Sequence, residues 1–296
     1  MSYLEFYQLT EFPFTITPNL DFYCSLKSTE EASQIIKLAL EQGEGFVKIV
    51  GEVGTGKTLL CRKLLAEIQQ KMKVAYLPNP AFDPKNLFLA IAAELEVEIR
   101  PNLDLHEIQK QLNEKLIDLY ASDQKAILLI DEAQALPDES LEAIRLLTNL
   151  ETSRSKLLQV VLFGQPELER KLAKEHLRQL QQRITFSYHL KPLTFSEMEA
   201  YLCHRLSKAG FTTGNLFSKK ALKALYRKSQ GLPRLVNILA HKSLLFGYGK
   251  ESKQINANIV SSVASDTDSI KKSKYLINTS ILTSVFILTL LVFYFA

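Results

Sequence analysis

Short apolar runs alternate with longer amphipathic segments along the chain up to about residue 190. The apolar runs are rich in valine, isoleucine and leucine, a composition typical of strands buried on both faces of a sheet. The amphipathic segments repeat apolar positions three and four residues apart, which predicts helices. Strands are predicted at 46–50, 73–77, 126–130, 157–163 and 184–190. This alternation predicts an α/β fold with a parallel sheet.

The helices predicted around these strands carry several local signals. Ser28 and Glu31 have the spacing of a capping box for the helix that precedes the first strand. An aromatic and proline-rich stretch at 12–23 can either pack as core or line an adenine ring. Other helices are predicted at 59–68, 84–97, 105–119 and 139–150, and a charged helical run at 167–182.

The pattern changes at residue 194, after which strands disappear. Thr194 and Glu197 form another capping box, and helices follow at about 197–209, 218–229, 234–247 and 256–265. An α/β body followed by a small helical unit predicts two domains meeting over one site. The expected bounds are a core at 1–193 with a lead-in at 1–45, a helical lid at 194–266, and a polar linker at 267–274.

The last 22 residues, 275–296, contain no charged side chain. As a helix, 276–296 would extend about 31 Å, close to the thickness of a bilayer core. Three lysines, Lys271, Lys272 and Lys274, precede this stretch and would hold that side in the cytoplasm. The sequence therefore predicts a single transmembrane helix at 275–296 with the body of the protein in the cytoplasm; the alternative is a buried terminal helix.

Composition describes a globular protein, with 46% hydrophobic and 23% charged residues among 296. Three of the formal net charge of +4 come from the lysines at 271–274, which leaves +1 for the remainder. Overall charge thus gives no case for a nucleic-acid partner. Three widely spaced cysteines fit a reducing compartment, without a disulfide framework or a cysteine-bound metal.

A glycine-rich loop joins the strand at 46–50 to the amphipathic helix after it. Strand, glycine loop and helix occur in the order that a phosphate-binding loop requires. The glycines let backbone N–H groups turn inward around an anion, and the helix directs its positive N-terminus at the same place. Lys57 can then reach the β- and γ-phosphates, and the Thr58 hydroxyl can bind Mg²⁺. The predicted nucleotide-binding residues are Gly51, Glu52, Val53, Gly54, Thr55, Gly56, Lys57, Thr58 and Leu59.

Two further strands end in polar residues. Asp131 and Glu132 follow the strand at 126–130, in the arrangement of a Walker B motif. Asp131 can hold Mg²⁺ through water, and Glu132 can polarise the attacking water. Gln165 follows the strand at 157–163, where it could position water or touch the γ-phosphate, or be an ordinary loop residue.

With these motifs placed, the chain resembles the AAA+ ATPases of the ExeA/GspA and MshM type, which serve type II secretion and the assembly of mannose-sensitive haemagglutinin (MSHA) pili. The resemblance covers about residues 3–266. It is carried by FPFTITPN (12–19), GEVGTGKT (51–58), LLIDEAQ (128–134), IRLLTNLET (144–152), LFGQPEL (162–168), LQQRITFSYHLKPL (180–193) and GLPRLVN (231–237).

The resemblance implies a Rossmann-like P-loop core, a helical lid, and binding and hydrolysis of ATP with Mg²⁺. It implies that Gln165 is the sensor-1 residue, Arg234 the sensor-2 residue on the lid, and Arg183 the arginine finger offered to a neighbouring subunit. Arg178 is the alternative finger. A guanidinium supplied in trans stabilises transition-state charge and makes hydrolysis depend on assembly, so a homo-oligomer is expected.

The resulting hypothesis is an ATPase anchored in the bacterial inner membrane that helps pilus or secretion proteins to assemble. ExeA-type members continue beyond the membrane helix into a peptidoglycan-binding domain, and the chain's end at Ala296 favours the pilus branch. The alternatives are a DNA-handling ATPase with the same core and lid, and a nucleotide-switched scaffold with little turnover.

Overall fold

The computed structural model describes residues 2–100, 102–150, 156–212 and 214–267. The predicted transmembrane helix at 275–296 lies outside these residues. Within the described ranges, no helix combines the length and apolar character needed to cross a bilayer.

Five strands and twelve α-helices are described, numbered here in chain order. The strands are β1 Phe46–Gly51, β2 Lys73–Leu77, β3 Ala126–Ile130, β4 Leu158–Gly164 and β5 Ile184–Leu190. The helices are α1 Tyr3–Phe6, α2 Lys27–Glu41, α3 Lys57–Ile68, α4 Pro84–Glu94, α5 Leu105–Ala121, α6 Asp138–Leu147, α7 Pro166–Leu172, α8 Arg178–Arg183, α9 Phe195–Lys208, α10 Lys219–Ser229, α11 Pro233–Gly249 and α12 Ala257–Ser265.

The strands form one parallel sheet in the order β2-β3-β4-β1-β5. The predicted α/β fold with a parallel sheet is confirmed, and all five predicted strands are present. Because all strands run the same way, β1, β3 and β4 deliver the residues that follow them to one edge. β4 lies between β3 and β1, so the residue after β4 lies between the Asp131 loop and the glycine loop.

Both faces of the sheet are covered, which explains the uninterrupted apolar character of β3 and β4. Along β3, Leu128 and Ile130 pack into a core built with α4, α5 and α6. The alternate residues Ile127 and Leu129 pack into a second core built with α2 and α3. The polar loops are therefore left at the ends of the strands.

The described residues divide into two compact units, 18–192 and 2–17 with 193–267. The sequence pattern predicts that the lead-in at 1–45 belongs to the α/β core, whereas residues 2–17 lie with the helical unit. Within the helical unit, Thr10 N–H donates to the Ala209 carbonyl at 2.9 Å, and Tyr7 Oη donates to the Ser252 carbonyl at 3.0 Å. The aromatic lead-in also divides, since Phe14 is buried against Phe217 of the helical unit.

The predicted capping box at Ser28 and Glu31 is wrong. α2 begins at Lys27, with Leu26 in the N-cap position, so Ser28 is already inside the helix. Both side chains face β5 instead: Tyr188 Oη donates to Glu31 Oε2 at 2.6 Å, and Lys191 N–H donates to Ser28 Oγ at 3.3 Å. Contact with the edge strand has overridden the local capping signal.

The charged run at 167–182 is not one helix. It breaks after Leu172 into a 3₁₀ turn at Glu175–Leu177 and then α8. Asp138 accepts from Lys174 Nζ at 2.7 Å and contacts His176 Nε2 at 2.9 Å, both at the break. The break lets Leu177 and Leu180 enter the same core as α6. The capping box at Thr194 and Glu197 is confirmed, and the remaining predicted helices are present with ends shifted by up to three residues.

Candidate nucleotide-binding and hydrolysis site

The loop between β1 and α3 has the backbone geometry of an anion cradle. β1 ends at Gly51 and α3 starts at Lys57, with Gly56 in the N-cap position at φ 99° and ψ 15°. This left-handed conformation is accessible to glycine at little cost, which explains the residue type just before the helix. The N-terminal amides of α3 therefore point into the loop, where they and the helix dipole favour a phosphate.

Lys57 is held inside this loop and is only 4% exposed. Its Nζ donates to the carbonyl oxygens of Gly51 at 2.7 Å and Glu52 at 3.0 Å. Burial lowers the pKa of Lys57, and the negative charges of Glu132 and Asp131 act against that shift. The ammonium is thus the cation that faces both Walker B carboxylates.

Asp131 lies directly after β3 and is 2% exposed. Burial raises its pKa, while hydrogen bonds from the Thr58 side chain and from Glu132 N–H, the latter at 2.9 Å, favour the carboxylate. Asp131 and Thr58 are therefore adjacent oxygen donors beside the loop. Mg²⁺ is commonly held by one or two carboxylates together with phosphate oxygens, so this donor set fits it. Among the described residues there is no cluster of three or more His, Cys, Asp or Glu side chains that could hold a metal without a nucleotide.

Glu132 has an unusual backbone and a fixed carboxylate. Its φ of 52° and ψ of 39° lie in the left-handed region, where non-glycine residues are uncommon and concentrate at functional sites. Its Oε2 accepts hydrogen bonds from Gln165 Nε2 at 2.8 Å and from Gln134 Nε2 at 2.5 Å. The two amides hold the carboxylate on the sheet edge beside Asp131.

Gln134 is a site residue that was not predicted from the sequence. In addition to binding Glu132, its Oε1 accepts from Gln165 N–H at 3.0 Å, so it joins the ends of β3 and β4. Lys171 of α7 donates to the carbonyl of Gln134 at 3.0 Å and to the carbonyl of Leu136. Gln134 is the last residue of the DEAQ motif, but only the structure shows that it binds Glu132 and Gln165.

Arg183, the predicted arginine finger, lies at the opposite end of the sheet from the glycine loop. Arg183 ends α8, and the next residue pairs with Phe46 at the start of β1. Gly51 is at the opposite end of that strand, about 17 Å away at the rise of a parallel strand. Arg183 Nη1 donates to the Arg145 carbonyl at 3.1 Å and to Thr148 Oγ1 at 3.4 Å. Arg183 thus does not reach the loop of its own chain.

Arg178, the alternative finger, is exposed at the start of α8. Arg234 is exposed at the second position of α11, in the helical unit. Its assignment as a nucleotide sensor stays a prediction.

A parallel sheet in the order β2-β3-β4-β1-β5, with a glycine loop after β1 and paired acids after β3, defines a P-loop protein of the AAA+ class. Residues 40–172 match the AAA domain family. General secretion pathway protein A of Aeromonas hydrophila is 39% identical over 269 residues, which make up 91% of this chain and 49% of that protein. The chain therefore belongs to the AAA+ class and is similar to general secretion pathway protein A, as the motifs implied, and it spans about half the length of that relative.

Solved structures show the same fold at low identity. Cdc6p from Pyrobaculum aerophilum aligns with a TM-score of 0.61 at 18% identity, covering 79% of this chain and 67% of that one. Drosophila ORC bound to DNA aligns with a TM-score of 0.64 at 16% identity, covering 88% of this chain and 65% of that one. At these sequence identities the structural similarity supports only a shared fold.

Proposed function

We propose that the protein is a Mg²⁺-dependent ATPase that is anchored in the bacterial inner membrane and supports assembly of a secretion or MSHA-type pilus apparatus. The observation that carries the catalytic part is the convergence of Lys57, Asp131 with Thr58, and Glu132 at one sheet edge.

In this proposal the loop residues 51–59 bind the phosphates of ATP through backbone N–H groups, and Lys57 exchanges its carbonyl partners for β- and γ-phosphate oxygens. Asp131 and Thr58 would hold Mg²⁺, which would neutralise charge developing on the phosphates. Because the ammonium is buried, its interaction with phosphate is screened little by solvent.

Glu132 acts as the residue that orients and deprotonates the attacking water. A general base must be held within hydrogen-bond reach of the proton it accepts. Gln134 and Gln165 fix the carboxylate through Oε2, which leaves Oε1 to accept from a water. Gln165, at the position of sensor 1, thereby couples the γ-phosphate side of the site to Glu132.

Hydrolysis in this proposal requires a homo-oligomer. Since Arg183 does not reach the glycine loop of its own chain, a guanidinium from that part of the molecule can act only on a neighbour's nucleotide. Arg234 completes the site as the lid sensor.

The secretion role is supported by the likeness to general secretion pathway protein A. The anchor is supported by the uncharged sequence at 275–296 and the three lysines that precede it. The pilus apparatus is included in the proposal because the motif resemblance described above extends to the MshM type.

The test of the catalytic assignment is Glu132→Gln in the full chain. We expect ATP to bind as in the wild type and turnover to fall by about 10²–10⁴-fold, the usual contribution of a general base. Glu98→Gln is the matched control, because Glu98 is an exposed acid in the same unit. Turnover equal to the control would remove Glu132 from this role, and absence of ATP binding by the wild type would reject the nucleotide site.

The anchor has a separate test. Membranes of cells producing the full chain, or a chain truncated after residue 274, are washed with alkaline carbonate and probed for the protein. We expect only the full chain to stay with the membranes. A full chain that is released completely would refute the anchor without affecting the ATPase assignment.

A further inference from the structure

Helix α10 carries an unusual concentration of positive charge. Its eleven residues, KKALKALYRKS, include five cations and no acid. Lys219, Lys220, Lys223 and Arg227 are exposed, and Lys228 is half-buried. Ala221, Ala224 and Leu225 on the other side are buried, so the helix packs by one face and presents the cations on the other.

This arrangement opposes the electrostatics of an isolated helix. Lysines in the first turn face the positive end of the helix dipole, where acids are favoured. Lys219 with Lys223, and Lys223 with Arg227, are like charges four residues apart, a spacing that destabilises a helix. Within the part of the chain that the structure describes, none of the five cations forms an ion pair. Binding of an anionic partner would offset both the repulsion between these cations and their unfavourable interaction with the helix dipole.

A groove lies along the same surface. It has a volume of about 610 Å³ and is lined by Lys220, Lys223, Arg227, Phe195, Tyr226 and Ala257. The rings of Phe195 and Tyr226 meet edge to face with centroids 5.6 Å apart. Cations around half-buried aromatic rings are the combination found where proteins meet the headgroup region of a lipid bilayer.

We propose that the exposed cations of α10, together with the groove beside them, form a docking surface for anionic phospholipid headgroups. The inference rests on the membrane association proposed above. α12 packs against α10, and Thr267, the last described residue, follows shortly after α12. The uncharged stretch at 275–296 begins eight residues after Thr267. Eight residues span at most about 27 Å, so the predicted membrane span starts within that distance of Thr267.

The chemistry favours lipid over nucleic acid as the occupant. Lys271, Lys272 and Lys274 directly precede the predicted membrane span in the sequence and carry the same sign of charge as α10. Charge of this kind beside a span is attracted to the anionic cytoplasmic leaflet. The rest of the chain lacks the basic excess expected of a protein that follows a nucleic-acid backbone.

The test uses the full chain reconstituted into vesicles of phosphatidylcholine alone or of phosphatidylcholine with phosphatidylglycerol in equal parts. A water-soluble amine-acylating reagent is applied, and modification of Lys220 and Lys223 is followed by peptide mass spectrometry. We expect about fivefold slower modification in the anionic vesicles, the factor that corresponds to ~1 kcal/mol for one cation at an anionic surface. The protection should disappear at high salt.

Lys85 and Lys110, which are exposed in the α/β unit, are internal reference sites and should react equally in both vesicles. Equal modification of Lys220 and Lys223 in both vesicles would overturn the proposal. So would protection by a short duplex DNA in the absence of anionic lipid protection, which would assign the surface to nucleic acid.

A charge-neutralised variant provides a second measurement. Lys220→Gln, Lys223→Gln and Arg227→Gln together should abolish the protection of Lys219, whereas the control with Lys71, Lys85 and Lys110 changed to Gln loses the same charge and should keep it. Removing like charges relieves repulsion in α10, so the variant should fold, as urea unfolding would verify. Carbonate resistance of this variant reports the anchor separately, so failure of the anchor and failure of the lipid surface give different results.

Discussion

Gly231 provides a quantitative test of the packing that holds the start of α11. It adopts a φ of 72°, and a Cβ added there would lie 2.1 Å from the carbonyl oxygen of Leu193. Leu193 also donates its N–H to the Gly231 carbonyl at 2.9 Å. Replacing Gly231 with alanine therefore strains the backbone and forces two backbone segments apart.

The expected cost has two sources. A left-handed conformation costs a residue with a Cβ about 1–2 kcal/mol. Separating the two segments also weakens the hydrogen bond from Leu193 N–H to the Gly231 carbonyl, whose net value is about 1 kcal/mol. We therefore expect Gly231→Ala to lower the free energy of unfolding of the helical unit by about 2–3 kcal/mol.

Two glycines of the same unit are matched controls, with urea unfolding of the full chain followed by circular dichroism. Gly214 has a φ of 71° but open space around it, so Gly214→Ala should show only the backbone cost of about 1–2 kcal/mol. Gly249 lacks a positive φ and also has open space, so Gly249→Ala should be neutral or slightly stabilising. A Gly231→Ala protein as stable as Gly214→Ala would refute the steric reasoning.

Three other predictions concern the site and the helical unit. Gln134→Leu and Gln165→Leu each remove one amide from the Glu132 carboxylate; at about 1.5–3 kcal/mol for a charged hydrogen bond, each should lower kcat by about 10–100-fold, and steady-state kinetics with nucleotide-binding titrations should show unchanged ATP affinity. Arg183→Ala should abolish hydrolysis but spare ATP binding, and mixing it with Lys57→Ala should restore some turnover; a mixture as inactive as its components would contradict a finger acting in trans. Burial lowers the pKa of His241 below its usual 6.5, so the folded state resists protonation. The stability contributed by neutral His241 is therefore present above pH 6.5 and is lost as the pH falls through the pKa of His241 in the folded protein. Urea unfolding between pH 5 and 8 should show this loss, and His241→Gln should reduce it; identical pH profiles for the two proteins would count against the assignment.

Much of the α/β core could be predicted from local patterns. A few neighbouring residues are enough to recognise the five strands, the glycine loop and the acids after β3. Strands buried on both faces need continuous apolar runs, and phosphate binding needs glycines before a helix. Parallel strands then require their ends to meet, so Gln165 could be placed near Asp131 without coordinates. The order of these residues along the chain was sufficient to predict the strands, the glycine loop and the acids after β3.

Other features depended on contacts between distant segments. Ser28 and Glu31 satisfy the spacing of a capping box, yet they bind β5, and the break after Leu172 follows from the core that receives Leu177 and Leu180. No local rule contains these partners.

The sequence by itself thus determined the class of protein, the nucleotide loop and the Walker B acids, since each is encoded by neighbouring residues. Only the tertiary structure identified Gln134 as a holder of Glu132, separated Arg183 from the loop of its own chain, and placed the first 17 residues with the C-terminal helices. The physical reason is that these relations arise from strand order and packing between segments far apart in the chain, which hydrophobic periodicity does not specify.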